Sequence, residues 1–361
     1  LIRQRISHQQ QPQHSLIQRD YRHDDSGRLS HFKDGPDEIR YHYDALDRLS
    51  RCDGRQAEFF AFDPASNLVA IGDSARQAPG LVQGNRLLIQ GDRKFDYDPR
   101  GNLIQERRGK DGQRITRYHY DLQNQLIRVD THNAKESIHY RYDPLGRRLD
   151  KTDSFGRTRF IWSGDQLIQE QRNAQEKTYL YEPDSHRPLA QIQGGQVYHY
   201  HLDHLGTPRE LSDQQGHIVW KARYKTYGNL ALKETEAIEN NLRFQGQYFD
   251  NESGLHYNRF RYYSPESGQF INQDPIGLEG GLNGYQYASN PVMWIDPLGL
   301  SREGVVPNKT KPDFIVTKDG VAIPTNPSQL RSNVGKLQDA STNPSSSRKF
   351  LGEDANGLIC V

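Results

Sequence analysis

The chain has 361 residues, of which 34% are hydrophobic and 26% are charged. Its 47 Lys and Arg against 46 Asp and Glu give no electrostatic basis for binding nucleic acid, an anionic membrane or an acidic ligand. The two cysteines, Cys52 and Cys360, exclude a disulfide scaffold and a cysteine-rich zinc site. No apolar run reaches the roughly 18 residues that span a bilayer, so no membrane segment is expected. Because Leu1 is preceded by neither an initiator Met nor a signal peptide, we expect a piece of a longer protein.

A frame of aromatic residue, any residue, aromatic residue and Asp recurs along the chain. Clear copies occupy 41–44, 60–63, 95–98, 118–121 and 140–143, and degenerate copies occupy 160–162 and 179–182. Side chains two residues apart lie on one face of a strand, so each unit begins with a strand. Pro and Gly after the Asp, as at Pro99 and Gly101, then reverse the chain. The period therefore predicts a repeated β-hairpin.

A single hairpin cannot bury its apolar face, so the copies must form a sheet that curls or closes. We predict an all-β fold, with one continuous curled sheet running from about residue 20 to about residue 270. The paired aromatic residues are expected to form its core and not a stacking platform for nucleic acid. Thr235, Glu236 and Glu239 indicate one short helix within 235–242. A fold dominated by helices is excluded, because helical periodicity is otherwise hard to find before residue 300.

The repeats resemble the YD repeats of the Rhs (rearrangement hotspot) proteins, which are relatives of the teneurins and of Tc toxin C subunits. Residues 201–211, 241–250, 254–263 and 296–300 resemble the Rhs-associated core domain. The resemblance implies a hollow shell made from a spiral of YD-repeat β-hairpins and plugged by the core-associated segment. The expected domains are the YD-repeat shell over 1–230, the core and autoprotease segment over 231–300, and the N-terminal part of a variable C-terminal toxin over 301–361.

The sequence Asp-Pro-x-Gly-Leu occurs twice, at 274–278 and at 296–300. Asp-Pro-x-Gly alone is a turn sequence, and 98–101 and 143–146 carry it inside ordinary repeats. These residues by themselves favour a plain turn. Only the two later copies end in Gly-Leu, however, and the second lies where the repeat signature stops and the composition changes. The coincidence of a motif with a boundary favours a further role.

By resemblance to the Rhs family, Asp274 and Asp296 are expected to form an aspartyl-protease-like pair that cuts the chain between Leu300 and Ser301. Two carboxyl groups held close together share a proton, so one can act as a base for water while the other acts as an acid. Which of the two is the base stays open from the sequence, because the apparent pKa values belong to the pair.

One position departs from the pattern of some relatives, which have Arg directly before the first catalytic Asp. This chain has Gln273 there, and a neutral amide cannot pair with a carboxylate as a cation does. Arg259 and Arg261 are candidates to supply the missing charge. A slower cut is the expected consequence if neither does.

The fourteen histidines raise the question of a metal site. His201 and His204 are three residues apart and flank Asp203, a spacing that resembles a ligand set. The strand-rich context and the lack of a further clustered ligand favour structural hydrogen bonding. No metal and no other cofactor is expected.

The last 61 residues, from Ser301 onward, are expected to be the beginning of a toxin. Residues 312–324 predict a β-hairpin around 318–320, and 328–337 predict a short helix. Nuclease, deaminase and ADP-ribosyltransferase activities all remain open for this segment.

The favoured function is a toxin-delivery shell that encloses a C-terminal effector, cleaves itself after Leu300 and acts in bacterial competition through type VI secretion. Expected partners are its own toxin fragment, held non-covalently, an immunity protein, and a secretion-system spike or chaperone. The protein would be made in the bacterial cytoplasm and secreted or injected into a target cell. Alternatives are a Tc-type insecticidal toxin component, a cell-surface YD-repeat protein that binds carbohydrate without cutting, and a catalytically dead shell.

Overall fold

A computed structural model describes residues 2–8, 11–74, 79–132, 137–288, 290–300, 303–304, 314–316 and 322–324. The described chain is almost entirely β-strand, as predicted, with two short 3₁₀ turns at Lys110–Gly112 and Gly277–Gly280. None of its helices is both long and apolar enough to cross a membrane. Residues 1–305 form one compact unit and 306–361 form another.

Two long antiparallel sheets contain most of the strands. The first has seven, β1 Ile2–His8, β2 Gln11–His23, β3 Leu29–Asp34, β4 Asp37–Tyr43, β5 Leu49–Asp53, β6 Glu58–Phe62 and β7 Leu68–Gly72. The second has sixteen, β8 Leu81–Gln83, β9 Arg86–Gln90, β10 Arg93–Tyr97, β11 Leu103–Arg108, β12 Arg114–Tyr120, β13 Leu126–Asp130, β14 Ile138–Tyr142, β15 Arg148–Asp153, β16 Gly156–Ser163, β17 Gln166–Arg172, β18 Gln175–Tyr181, β19 Pro188–Gln193, β20 Gln196–Leu202, β21 Pro208–Ser212, β22 Ile218–Tyr224 and β23 Leu230–Glu236. Within each sheet, neighbours in sequence are neighbours in space.

The remaining strands form three small antiparallel sheets. One has four strands, β24 Tyr248–Asp250, β25 Leu255–Asn258, β26 Arg261–Ser264 and β27 Gln269–Phe270. Two have two strands each, β28 Trp294–Ile295 with β29 Glu303–Gly304, and β30 Phe314–Val316 with β31 Ala322–Pro324. The pairing of β30 with β31 agrees with the hairpin predicted for 312–324, whereas the helix predicted for 328–337 lies outside the described residues.

Two expectations, one about the sheet and one about a helix, were wrong. The single continuous sheet is divided between β7 and β8, and the four-stranded sheet is separate from both. At the division Gly80 donates its N–H to the Val69 carbonyl, and a Cβ there would lie 2.3 Å from the Ile89 oxygen, so only glycine fits. The helix expected within 235–242 is also absent, because 230–236 pair as β23 on the open edge of β22.

The Asp of the repeat organises the turn between its two strands. In one copy, Asp143 Oδ1 accepts hydrogen bonds from the backbone N–H groups of Leu145 and Arg147, both at 2.9 Å. Its Oδ2 accepts from Arg147 Nε at 2.7 Å. This side-chain turn is a conformation that Asp favours, and both carboxylate oxygens are used locally. The strand register also shifts just before the second aromatic residue, at Tyr142 here and at the matching position of other copies.

The core lies where the aromatic faces of the long sheets meet the segment after β23. The first aromatic residue of each frame except that at 41–44 is deeply buried, as for Tyr118 and Tyr140. These rings pack with residues of the four-stranded sheet and its surroundings, namely Leu255, Tyr257, Tyr262 and Ile271. Burial of such a side chain is worth roughly 1.5–3 kcal/mol. The aromatic residues at period two therefore form a core, as the sequence pattern predicted.

Candidate active site

The site is built on the tight hairpin between β25 and β26. Asn258 pairs with Arg261, which leaves a two-residue loop whose first residue, Arg259, has a φ of 56°. Asn258 and Arg261 are both buried, although each is polar. Arg261 lies with its guanidinium carbon 3.6 Å from the centroid of the Phe270 ring, so an aromatic face supports the cation.

Asp274 follows the short strand β27 and begins a turn of the same type as the repeat turns. Its backbone N–H donates to the Gly284 carbonyl at 2.9 Å, and its Oδ1 accepts from the Ile276 N–H at 3.1 Å. The Gly277 N–H closes the turn on the Asp274 carbonyl at 3.0 Å. These bonds fix the carboxyl group against its own backbone.

Asp296 follows β28 in the same way. Its Oδ1 accepts a hydrogen bond from the Leu300 N–H at 3.0 Å, four residues on. Its backbone carbonyl accepts from Asn258 Nδ2 at 2.8 Å. The segment before the predicted cut is therefore held to the hairpin that carries Arg261.

Arg261 brings the two carboxyl groups together. Its Nη2 lies 2.9 Å from Asp274 Oδ2 and 3.3 Å from Asp296 Oδ2, and all three side chains are 2% exposed. Two carboxyl groups and one guanidinium leave a net negative charge when both acids are ionised, so binding one proton makes the buried cluster neutral. Such a cluster favours the singly protonated pair that general acid–base chemistry requires.

The pKa shifts agree with this charge balance. Burial raises the pKa of Asp274 above its usual range, although the Arg261 guanidinium opposes the shift. Burial likewise raises the pKa of Asp296, to about 6, against the opposing effect of Arg261 and with a further upward contribution from Asp274. Proton uptake by the pair is thus placed close to neutral pH.

The fifth residue of the motif explains why these two turns differ from the repeat turns. In the repeat turns beginning at Asp98 and Asp143, the fifth residue is Asn102 or Arg147, and its side chain donates to the Oδ2 of the Asp. In the two Asp-Pro-x-Gly-Leu copies that residue is leucine, which has no side-chain donor. Oδ2 is then available to Arg261, as observed in both copies.

The carbonyl of Leu300 lies beside Asp274, with Gly280 between them. A Cβ added to Gly280 would lie 2.2 Å from Asp274 Oδ2 and 2.7 Å from the Leu300 oxygen, so a side chain there would displace one of them. The carboxyl group of one motif and the last carbonyl of the other therefore lie on either side of the same glycine. This is the carbonyl of the peptide bond predicted to be cut.

The two other predicted residues have different positions. Gln273 is exposed and its amide lies near Gly101. Arg259 points to the long sheet, where its Nε lies 2.6 Å from Asp165 Oδ1. Of the candidates named, only Arg261 contacts the carboxyl groups. Ser301, on the far side of the predicted cut, lies outside the described residues.

Sequence reasoning missed Asn258 and Gly280. Asn258 is fully buried at the end of a strand and donates to the Asp296 carbonyl. In the sequence, an asparagine beside two arginines only weakly indicates such a role. Gly280 lies two residues after the first motif, but a glycine in a polar loop gives no sequence indication of a close approach. Both roles depend on contacts between residues that are far apart in the sequence.

His201 and His204 make the structural hydrogen bonds that were expected of them. His201 Nε2 lies 2.9 Å from the Ser212 hydroxyl, and His204 Nε2 lies 2.9 Å from the Val292 carbonyl. Burial lowers the pKa of both imidazoles, His201 to about 4, so they are neutral near pH 7. In the portion of the chain that is described, no three His, Cys, Asp or Glu side chains are grouped to hold a metal.

Comparison with known proteins supports the resemblance seen in the sequence. The Teneurin YD-shell family profile matches residues 5–292. The chain is 39% identical over 321 residues to Double-stranded DNA deaminase toxin A of Burkholderia cenocepacia, covering 78% of this chain and 22% of that protein. It is 32% identical to Toxin protein Tse5 of Pseudomonas aeruginosa, over 78% and 27% of the two chains. For Probable deoxyribonuclease RhsA of Dickeya dadantii the identity is 31%, over 89% and 23%.

Among solved structures, the crystal structure of TcdB2-TccC3-Cdc42 superimposes with a TM-score of 0.50 and 18% identity, over 79% of this chain and 18% of that one. This likeness concerns the fold alone. The chain spans about a fifth to a quarter of the length of the curated relatives it matches.

Proposed function

Because the chain belongs to the teneurin YD-shell family, we propose that it is the shell-and-core portion of a Rhs-type toxin and that it cleaves itself after Leu300. Two curated relatives are toxins by name and another is a probable deoxyribonuclease. The observation that carries the cleavage proposal is the bridge from Arg261 Nη2 to Asp274 Oδ2 and Asp296 Oδ2, beside the Leu300 carbonyl.

The geometry favours different roles for the two acids. Asp274 Oδ2 and the Leu300 oxygen both border Gly280, so Asp274 is the acid placed to approach that carbonyl. A protonated Asp274 therefore donates to that carbonyl as its negative charge develops. Asp296 is assigned as the ionised partner, because its Oδ1 accepts the Leu300 N–H, a bond that favours a carboxylate.

In the proposed reaction, Asp296 takes a proton from water, whose oxygen attacks the Leu300 carbonyl carbon. The bond from that carbon to the Ser301 nitrogen then breaks, and the nitrogen leaves as an amine after gaining a proton. The products are a carboxyl group on Leu300 and an amino group on Ser301, so one water molecule is consumed. Arg261 holds both acids and accepts no proton, since a guanidinium stays charged at any physiological pH.

Enclosure of the toxin is proposed for the longer protein. The cavity between the two long sheets and the core segment has a volume of about 1360 Å³. Pockets for small molecules have roughly 300–1,000 Å³, so this space is too small for a folded toxin domain.

Delivery in bacterial competition through type VI secretion, with an immunity protein and a spike or chaperone as partners, is the accompanying proposal. The toxin domain is proposed to begin at Ser301 and to remain bound after the cut. The domain boundary at residue 230, between the repeat shell and the core segment, stays a proposal as well, since residues 231–300 lie in the same compact unit as the repeats. No observation on these residues favours carbohydrate binding or a Tc-type complex over this function.

The cleavage proposal is tested by Asp274→Asn and Asp296→Asn, which remove a titratable oxygen and nearly preserve size. Both variants should stay uncut while the parent yields two fragments in denaturing electrophoresis. The matched control is Asp24→Asn, which makes the same change in a repeat turn with the same bonds from the residue four positions on and should leave cutting intact. A parental cutting rate in either Asp274→Asn or Asp296→Asn excludes that residue from catalysis.

A further inference from the structure

Arg259 has a backbone conformation that its residue type seldom adopts. Its φ of 56° lies in the left-handed region, at the first position of the two-residue loop between β25 and β26. Non-glycine residues persist there only where surrounding contacts hold them. The contacts that hold Arg259 are therefore part of what sets the shape of this hairpin.

Those contacts come from the turns of the sixteen-stranded sheet. Arg259 Nε lies 2.6 Å from Asp165 Oδ1 in the turn between β16 and β17. Its Nη2 donates to the Leu145 carbonyl at 2.8 Å, in the turn between β14 and β15. The Arg259 side chain is 6% exposed, whereas that of Asp165 is 44% exposed. A buried arginine thus ties the core hairpin to two neighbouring repeat turns.

The same hairpin binds the residues that precede the proposed cut. Asn258 Nδ2 donates to the Asp296 carbonyl, and the Phe260 N–H donates to the Leu298 carbonyl at 3.1 Å. Arg261 Nε donates to the Gly299 carbonyl at 2.5 Å. Arg259 lies between Asn258 and Phe260 in sequence, and its own side chain bonds to the turns of the sixteen-stranded sheet.

We infer that Arg259 is a positioning residue, which holds the hairpin in the shape that presents 296–300 to the acid pair. The inference rests on the proposed self-cleavage and deepens it. Because Arg259 is fixed by the turns at Leu145 and Asp165, the acid pair is completed only when those turns of the sheet have folded. Cleavage is thereby made conditional on a folded shell wall, which keeps unfinished protein from releasing its C-terminal segment.

The first test compares cutting rates after refolding from denaturant. Arg259→Gly keeps the backbone conformation accessible and deletes the anchor, and Asp165→Asn removes the anchoring charge without touching the hairpin. Each should slow cutting at least tenfold per folded molecule, with the pH midpoint of the rate unchanged, since neither residue contacts the pair. Asp165→Glu should restore at least half of the parental rate. Asp184→Asn, in an exposed turn of the same sheet, is the control and should cut normally.

The second test does not depend on cutting. In an uncut Asp274→Asn background, hydrogen exchange is measured at the amides of Phe260 and Leu300, which donate to the Leu298 carbonyl and to Asp296 Oδ1. Adding Arg259→Gly or Asp165→Asn should speed exchange at both amides at least tenfold, and adding Asp184→Asn should not.

The two readouts separate the possible failures. If the parent never cuts but exchange responds as stated, the proposed protease is wrong and the positioning role stands. If the parent cuts and Asp165→Asn cuts and exchanges within twofold of it, the positioning role is wrong. Should Arg259→Gly not fold, the Asp165→Asn results alone decide, since that substitution lies on the opposite side of the ion pair.

Discussion

At the scale of single residues, a small change of side chain separates a structural turn from a candidate protease. Asp143 and Asp296 begin turns with the same local hydrogen bond from the residue four positions on. Arg147 occupies the second oxygen of Asp143, whereas Leu300 leaves that of Asp296 to Arg261. A carboxyl group freed from its own turn and buried against a second one acquires the raised pKa that acid–base chemistry uses.

Cleavage should slow as the pH rises from 6 to 8. Burial raises the pKa of both acids, that of Asp296 to about 6, so the single proton that the two acids share is lost through this range. Well above the pKa, a rise of one pH unit lowers the fraction of protonated pair about tenfold. The rate after refolding, measured by electrophoresis, should therefore be about tenfold lower at pH 8 than at pH 7. A rate that is constant between pH 6 and 8 would contradict a shared proton.

The raised pKa of Asp296 also makes the stability of the folded protein depend on pH. A carboxyl group whose pKa is raised by folding favours the folded state fully below its ordinary pKa, and this contribution is lost as the pH rises through about 6. Asp143 has the opposite sign, because hydrogen bonds from Arg147 outweigh burial and lower its pKa. Its contribution is present at neutral pH and disappears on acidification.

Gly280→Ala should slow cutting by at least tenfold with little loss of stability. A Cβ there would lie 2.2 Å from Asp274 Oδ2, so the acid or the Leu300 carbonyl must move. A misplacement of about 1 Å can cost a rate about a hundredfold. The rate is compared with that of Glu279→Ala, an exposed neighbour in the same turn, and equal rates would mean that Asp274 does not act at this carbonyl.

At the scale of elements, the repeat period predicted hairpins and a buried aromatic face, and both are present. Tyr140 is 3% exposed and its ring lies 5.5 Å from that of Tyr262 in the four-stranded sheet. This contact joins a repeat strand to the core segment that carries Arg261. Aromatic packing thus aligns the sheet with the candidate site.

Tyr140→Ala should lower the free energy of unfolding by roughly 3–5 kcal/mol, as for a large aromatic side chain truncated in a core. Phe155→Ala, at a ring that is 83% exposed, should change it by no more than about 0.5 kcal/mol. Denaturant unfolding of both variants in an uncut background gives the comparison. Equal effects would mean that the aromatic face is not a core.

Two other features of the strands and loops could not be predicted from the sequence, because they depend on the folded backbone. Arg259 and Arg261 are two residues apart on one hairpin, and strand alternation places both on the same face. A two-residue loop with a left-handed first residue separates them, so only Arg261 turns to the acids. The division after β7 likewise depends on Gly80 passing between two carbonyl groups, a tertiary contact with no local pattern.

At the scale of the whole molecule, the segment between the two acids connects both long sheets. Asn283 Nδ2 donates to Asn67 Oδ1 at 2.7 Å, next to the first sheet, and the Tyr285 hydroxyl donates to the Gly101 carbonyl at 2.7 Å, in a turn of the second. The Val292 carbonyl is bound by His204. The segment that joins Asp274 to Asp296 is therefore held by repeats distant in sequence.

The most direct test of the central claim is the identity of the new N-terminus in the refolded parent protein. Intact mass and N-terminal sequencing, at pH 6 without acid treatment, should find a fragment that begins at Ser301 and co-purifies with its partner until denaturant is added. A single uncut chain would contradict self-cleavage. A fragment that begins at Pro275 or Pro297 would also contradict it, because it would show acid hydrolysis of an Asp-Pro bond instead.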